Sequence, residues 1–590
     1  MKILTALYYR TGVRDVWLPF IAYVVLLALL MPTVESPYLR VLFFMYALFI
    51  FWVVWEYALS KPKEQTSSFA QRKFFIGLLI GATLFIIISR LILFVRFGGA
   101  PLGYDTGFYL NSIGNTFEGL SGHRAIRSLI WVPLLWLGVP KMYILHGLYV
   151  LFQFLLAGSM YMFARTLTLS SRLAQAAVVM FLFAMSMPQF FAYWWMFYQM
   201  QLALALMIIT LMLIYRRSPL AVLTAAFGIG IHPATFLPIV IGLVMFAIFD
   251  MGLAIFKWRP VRKETIFILA LGMLGLLILR LFGSEFFLVY LRGPILQYGW
   301  FVTNYPPELS YLKGLYIPLA LFKLANIYVL PFALIGLFIF IARKFRNIAA
   351  TAQQQLYSRL SILAFIILAA FTLAAVPFIY QNRFLMVLDL AMIMFASYAL
   401  LYFFYALLAA RKGRVMIILF LLGFFVYASY TVWGQQPQLY ADERQEIEAI
   451  ARIAEKDAYA MSTESLYTPW VSGLSGRSTI DPGYLSWNLW NYEMWKEFWY
   501  GGSDARRHEL LSMYDKPLYI FVGKRVPETV RYKQFIKNDP YFEKISPHVW
   551  WYDPGRLSTQ EIEEMQRLEN PPTPIDSISD EKIGTPLNGE

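Results

Sequence analysis

The sequence predicts an α-helical polytopic membrane bundle of about thirteen transmembrane helices, carrying a C-terminal extracytoplasmic mixed α/β domain. Three observations predict it. Of 590 residues, 59% are hydrophobic and only 15% are charged, with a mean hydropathy of +0.57, which is more apolar surface than a water-soluble globule buries. Apolar runs of about 20 residues recur, each long enough to cross a hydrocarbon core roughly 30 Å thick as a helix. Lys and Arg gather in every second loop between these runs.

In chain order the spans fall near 15–33, 38–59, 74–97, 142–164, 173–188, 197–215, 219–231, 234–250, 265–283, 315–342, 357–378, 385–409 and 415–433. Basic clusters lie at Lys2/Arg10/Arg14, Lys61/Lys63/Arg72/Lys73, Arg165/Arg172, Arg216/Arg217, Lys257/Arg259/Arg262/Lys263, Arg343/Lys344/Arg346 and Arg411/Lys412/Arg414. Basic loops face the cytoplasm, so the N-terminus is expected inside a multi-pass plasma-membrane protein. Loops 98–141, 189–196, 284–314 and 379–384, and everything after Trp433, are then external. No small-residue cleavage site follows the first span, which argues against a cleavable signal peptide. The net charge of +14 follows from this loop pattern, so nucleic acid is not an expected partner; the bilayer is. The chain has no cysteine, which removes disulfides, thiolate metal ligands and thiol nucleophiles.

Composition divides the chain. Residues 1–73 hold two spans, and residues 74–433 form the transmembrane core with long external loops at 98–141 and 284–314. After Trp433 the sequence turns to Gly434-Gln435-Gln436-Pro437 and then to the charged run Ala441-Asp442-Glu443-Arg444-Gln445-Glu446, opening a soluble external α/β domain over 434–566. Within it, 442–456 reads as an amphipathic helix, Pro517 to Val522 as a buried strand, Tyr532 to Asn538 as a short helix and Val549 to Tyr552 as an aromatic strand. Residues 567–590, polar and Pro-containing, read as a disordered tail. No repeat of fixed period is present.

The loop at 98–141 contains Gly103-Tyr104-Asp105-Thr106-Gly107-Phe108-Tyr109, which sets one carboxylate just outside a span. A carboxylate held at a membrane surface can act as a general base on a hydroxyl acceptor. The same loop supplies Glu118, His123, Arg124 and Arg127, and its apolar run Leu129–Val139 is too short to span, so it is expected in the interface. Basic residues at the external ends of spans break the positive-inside pattern: Arg90, Arg96, Arg280, Lys323 and Arg383. Together they can cradle a phosphate through charge-assisted bonds. Snorkelling to headgroups, or pairing with Asp389 or Glu285, is the alternative.

These residues carry a resemblance. A Tyr104-Asp105-x-x-x-Tyr109 turn in a large external loop, many spans, Gln381-Asn382-Arg383-Phe384 opening a late span, and an external C-terminal domain with Tyr467-Thr468-Pro469-Trp470 and Asp481-Pro482-Gly483 together resemble the GT-C superfamily. These are membrane glycosyltransferases such as protein O-mannosyltransferases and aminoarabinose transferases. The resemblance implies a polyprenyl-phosphate-linked sugar as donor, a lipid, glycan or protein acceptor, and inversion at the anomeric carbon. It implies Asp105 as general base and Arg383 as the ligand of the donor phosphate. Arg90, Arg280 and Lys323 join the phosphate set on position alone, with no family motif behind them. The resemblance also marks 1–73 as an addition to the core, because the catalytic loop of relatives follows the first span. Many relatives have a second acid close to the loop aspartate, whereas Glu118 stands well downstream here. No cofactor is certain, a divalent metal remains open, and its ligands are unknown. Trp194-Trp195 is followed by Met196-Phe197, not by the Trp-Trp-Asp of oligosaccharyltransferases.

His232, in Gly228-Ile229-Gly230-Ile231-His232-Pro233, interrupts an apolar stretch; it either meets a sugar or phosphate oxygen or is a satisfied histidine at a Pro turn. Tyr104, Tyr109, Glu118, His232, Arg124 and Arg127 complete the substrate-binding candidates. A polytopic transporter or flippase of a lipid-linked or anionic substrate is the alternative, and ionisable or polar groups at mid-membrane would favour it.

Overall fold

The computed structural model describes residues 69–97, 103, 105–114, 131–167, 172–194, 198–256, 260–282, 350–375, 381–409, 413–464, 466–482 and 489–569, with a few positions between 329 and 337. The chain divides into two compact units, Met1–Ala441 and Asp442–Glu590.

In the first unit the described helices are α1 (Phe69–Arg96), α2 (Thr106–Gly114), α3 (Val132–Trp136), α4 (Lys141–Leu167), α5 (Arg172–Met185), α6 (Met187–Trp194), α7 (Tyr198–Tyr215), α8 (Leu220–Ile231), α9 (Pro233–Phe256), α10 (Lys263–Phe282), α11 (Ala350–Ala375), α12 (Gln381–Ala409) and α13 (Gly413–Trp433). The main packed pairs are α9 with α11, α7 with α8 and α4, α1 with α5, and α11 with α12. Gly242 permits the close approach of α9 to α11, because a Cβ there would lie 2.6 Å from the Ile366 backbone. Helix α1 buries Phe75, Leu78, Ala82, Phe85, Ile86 and Leu93, while Ile80, Leu84, Ile88, Leu91 and Val95 form an exposed stripe at helical spacing. Large aliphatic side chains turned outward in this way suit hydrocarbon and would be penalised in water.

Among the described residues, five helices are long and apolar enough to cross a membrane: Ala70–Arg96, Lys141–Thr166, Tyr198–Tyr215, Ala234–Phe256 and Arg383–Tyr405. The bent pair Arg172–Met185 and Met187–Trp194 makes a sixth if counted as one span. The count of about thirteen is not confirmed among the described residues. The expected spans 15–33 and 38–59, and most of 315–342, lie outside the described residues. Helix α8, with 12 residues, is about 18 Å long at 1.5 Å per residue, too short to span alone. The expected external loop 189–196 is corrected as well: residues up to Trp194 form buried helix α6, set at 57° to α5. Pro188 lacks an N–H and its ring would meet the carbonyl of Ala184, which disfavours one continuous helix, and the chain breaks at Ser186.

The second unit holds α14 (Ala441–Ile453), β1 (Tyr459–Ser462), α15 (Thr468–Leu474), β2 (Ser478–Ile480), α16 (Tyr492–Lys496), α17 (Asp504–Ser512), β3 (Leu518–Phe521), α18 (Arg531–Asn538), β4 (Phe542–Ser546), β5 (Val549–Tyr552) and α19 (Thr559–Glu569). The sheet order is β2-β1-β3-β5-β4, parallel across β2-β1-β3 and antiparallel across β3-β5-β4. Strand β3 is buried at all four positions, as an apolar central strand covered on both faces must be. An aromatic core of Trp490, Trp495, Phe498, Trp499, Tyr514, Tyr532 and Phe535 packs against the sheet residues Tyr459, Ile520 and Trp550. Helix α19 runs to Glu569, so the first three residues of the expected tail are helical; 570–590 lie outside the described residues.

Candidate functional site

Three helix beginnings meet at one end of the bundle. Asp105 immediately precedes α2, whose first turn closes through the Tyr109 N–H to the Asp105 carbonyl at 3.2 Å. His232 ends α8 with an extended backbone (φ −152°, ψ 88°), and Pro233 then starts α9 with a preset φ and no N–H to satisfy. Arg383 lies in the first turn of α12. The Arg383 Nη2 stands 3.8 Å from Asp105 Oδ2, and its Nη1 lies 3.0 Å from His232 Nε2. His232 Nδ1 in turn sits 2.7 Å from Thr235 Oγ1. Both ends of the ion pair remain partly accessible, Arg383 at 17% and Asp105 at 16% of side-chain surface.

The electrostatics favour an anion here. A positive charge in the first turn of a helix adds to the dipole instead of offsetting it, which costs stability and creates a site for negative charge. The N-terminal ends of α2, α9 and α12 all contribute. Burial raises the Asp105 carboxyl to about 6, opposed by the Arg383 guanidinium, which lowers it. A carboxylate poised there is suited to general-base work near neutral pH. The 3.8 Å separation exceeds a hydrogen bond. Arg383 thus hydrogen-bonds His232 and stands within ion-pair range of Asp105.

Aromatic side chains wall the site. Tyr109 of α2 packs on Tyr198 at 5.3 Å, and Trp131, Tyr149 and Phe152 surround the same ring at 6.1, 6.3 and 5.0 Å. Gly228 permits the turn that presents His232: a Cβ there would fall 2.2 Å from the Phe236 ring.

Arg90 belongs to a different cluster. It is 1% exposed, donates Nε to Gln153 Oε1 at 3.0 Å and Nη1 to Ser89 Oγ at 2.7 Å, and lies over the rings of Phe190 and Tyr193. Gln153 donates to the Gln189 carbonyl at 3.1 Å, and Gln189 donates its amide to Asp389 Oδ2 at 2.8 Å. Ser186, at the helix break, donates to the same oxygen at 2.9 Å, and Gln201 donates to Gln189 Oε1 at 3.3 Å. A polar chain therefore runs through the bundle from α1 to α12. Arg90 Nη2, Gln201 Oε1 and Asp389 Oδ1 have no hydrogen-bond partner among the described residues.

The structure brings together Asp105, Arg383 and His232, with Tyr109 alongside. Tyr104, Glu118, Arg124, Arg127 and Lys323 lie outside the described residues, and Arg280 is placed only to the level of its backbone on α10. Arg96, the fifth basic residue, donates to the Trp433 carbonyl at 2.5 Å and covers the Trp433 ring at 4.8 Å. Among the described residues no group of three or more His, Asp or Glu could hold a metal ion. Sequence reasoning missed Gln153, Ser186, Gln189 and Gln201. Their signal was present as amide and hydroxyl side chains inside long apolar runs, where every polar group needs a partner.

No protein-family model matches this chain, and no curated protein does. Among solved structures it is similar to the crystal structure of the Archaeoglobus fulgidus oligosaccharyltransferase in complex with Zn and sulfate, at 12% identity over 75% of this chain and 68% of that one, with a TM-score of 0.45.

Proposed function

We propose that this chain is a membrane glycosyltransferase that moves a sugar from a polyprenyl-phosphate donor to a hydroxyl acceptor at the external membrane face. The observation that carries this reading is the approach of Asp105 and Arg383 to 3.8 Å where three helix N-termini meet. In the reaction the acceptor oxygen attacks the anomeric carbon and its proton passes to an Asp105 oxygen. The bond from the anomeric carbon to the phosphate oxygen breaks, its electron pair staying on the lipid phosphate. Arg383 and the helix N-termini stabilise that charge, while His232 orients the guanidinium. Backside attack gives inversion. Residues 1–73 would be an addition to the 74–433 core.

The test is transfer of labelled sugar from polyprenyl-phosphate donors by purified protein. Asp105→Asn should lower the rate at least ~100-fold, in the range of lost general-base catalysis, with donor binding retained. Full activity in that variant removes Asp105 from the chemistry.

One observation favours the second reading. The buried Arg90–Gln153–Gln189–Asp389 chain is the kind of intramembrane polar path that a transporter or flippase of an anionic or lipid-linked substrate would use. Donor translocation in vesicles without sugar transfer, blocked by Asp389→Leu, would select that reading.

A further inference from the structure

A polar cavity of about 590 Å³ opens in the C-terminal unit beside the N-terminus of α17, lined by Arg507, Arg531, Gln534, Asn538 and Glu569, with Phe535 also in its wall. Two independent features meet there. Arg507 is 3% exposed; its Nε donates to the Phe498 carbonyl at 2.9 Å and its Nη1 to Asp504 Oδ1 at 2.7 Å. Its Nη2 is buried and has no hydrogen-bond partner among the described residues. A guanidinium N–H left in that state is costly unless a ligand supplies the acceptor.

The second feature is an internal carboxylate. The first two amides of α17, those of Asp504 and Ala505, donate to Glu569 Oε1 at 3.0 and 3.4 Å, although Glu569 lies at the far end of α19. The Ser503 hydroxyl already accepts from the Arg506 N–H, so the helix has its own cap and does not need Glu569 for that purpose. The other acids of the cavity already have partners, Asp504 with Arg507 of the same cavity and Asp539 with His508 at 2.9 Å.

We propose that this cavity binds a carboxylate-bearing sugar, a uronate, whose carboxylate takes the place of Glu569 at the start of α17 and accepts from Arg507 Nη2. The helix N-terminus supplies the amides and dipole for the carboxylate. The cavity is far larger than one carboxylate and falls in the size range of small-molecule sites. Gln534, Asn538 and Arg531 ring it with planar donors and acceptors of the kind that pair with neighbouring hydroxyls. Glu569 is then an internal competitor that a ligand must displace. This site is independent of the chemistry assigned to Asp105.

Calorimetric titration of the purified full chain with sodium glucuronate, glucose and acetate tests it. Glucuronate should bind, acetate more weakly, and glucose below detection. Glu569→Ala should tighten glucuronate about tenfold, because the binding-competent state no longer competes with the internal carboxylate. Arg507→Lys should remove binding; since Arg507 is buried, Arg531→Ala and Asn538→Ala, at exposed positions of α18, serve as variants that spare the fold and should each weaken it. The proposal is overturned if glucuronate binds neither wild type nor Glu569→Ala, if Glu569→Ala leaves affinity unchanged, if the α18 variants do, or if acetate binds as tightly as glucuronate.

Discussion

Arg383 Nη1 faces His232 Nε2 at 3.0 Å, and this contact fixes the state of the imidazole. A guanidinium can only donate, so Nε2 must be the acceptor and the ring proton must sit on Nδ1, from which it is donated to Thr235 Oγ1 at 2.7 Å. His232 is therefore a neutral hydrogen-bond acceptor that aims a cation, not a charged ligand itself. Losing a hydrogen bond to a charged group costs about 1.5–3 kcal/mol. His232→Ala should accordingly raise the donor KM by roughly 10- to 100-fold, with a smaller effect on kcat. His232→Gln, whose side-chain oxygen can accept from Arg383, should recover much of the loss. Equal damage from both variants would show that the imidazole does something other than orient Arg383.

The pH dependence follows from Asp105, whose carboxyl burial raises to about 6 against the opposing pull of Arg383. A general base works when deprotonated, so transfer should climb as pH rises through about 6 and level off above it. Arg383→Gln removes the charge that lowers the value, and the midpoint of the acidic limb should move up. Stability runs the other way. The native state holds this proton more tightly than the unfolded chain, whose reference is 3.8. Between the two values, stability contributed by this group falls as pH rises, and it is constant above about 6. A rate profile flat from pH 5 to 8 would contradict the assignment of Asp105 as base.

The residues of this site were legible one at a time. Asp105, His232 and Arg383 stand out because each interrupts or flanks an apolar run, and a charge or imidazole there has a cost that requires a reason. Their meeting has no local signature, since nothing local links the start of α2 with the start of α12; only the resemblance puts Asp105 and Arg383 in one site, and it does not include His232. The Arg90 network was read only at its ends. Gln153, Gln189 and Gln201 carry no charge and barely lower the hydropathy of their segments, so a reading built on charges passes over them. The same reading takes 189–196 for an external loop; Pro188 marks a break there but does not say whether the chain leaves the bundle or bends within it. In the C-terminal unit the strand at 518–521 was plain from its apolar run, whereas the cavity at α17 depends on a side chain from α19 and had no local signature.

Asp389 clamps the break between α5 and α6. One carboxylate oxygen accepts from Ser186, at the break, and from Gln189, in the first turn beyond it. Asp389→Ala leaves both donors buried without an acceptor, at about 1–3 kcal/mol each. The expected result is a loss of about 2–4 kcal/mol, read as a lower unfolding temperature of the purified protein in detergent, with Asp389→Asn intermediate because it keeps one carbonyl oxygen. An unchanged unfolding temperature for Asp389→Ala would mean that the bend is set by Pro188 alone.

Gly228 tests whether the α8–α9 turn positions the site. A methyl group at this position would press on the Phe236 ring, which is itself buried one turn beyond His232. Overpacking of this kind costs about 1–3 kcal/mol, and the strain is relieved by displacing whichever neighbour yields most easily. If Phe236 is pushed, the start of α9 moves with it, and His232 leaves Arg383. Gly228→Ala should then weaken donor binding as well as stability, although the nearest neighbours of the added methyl are Phe236 and Leu206. Adding Phe236→Leu frees the space at the ring edge and should restore donor affinity more fully than stability, because the truncated ring also loses packing. Recovery of stability without recovery of donor affinity would place the effect of Gly228 in the packing of α8 and would break its link to Arg383.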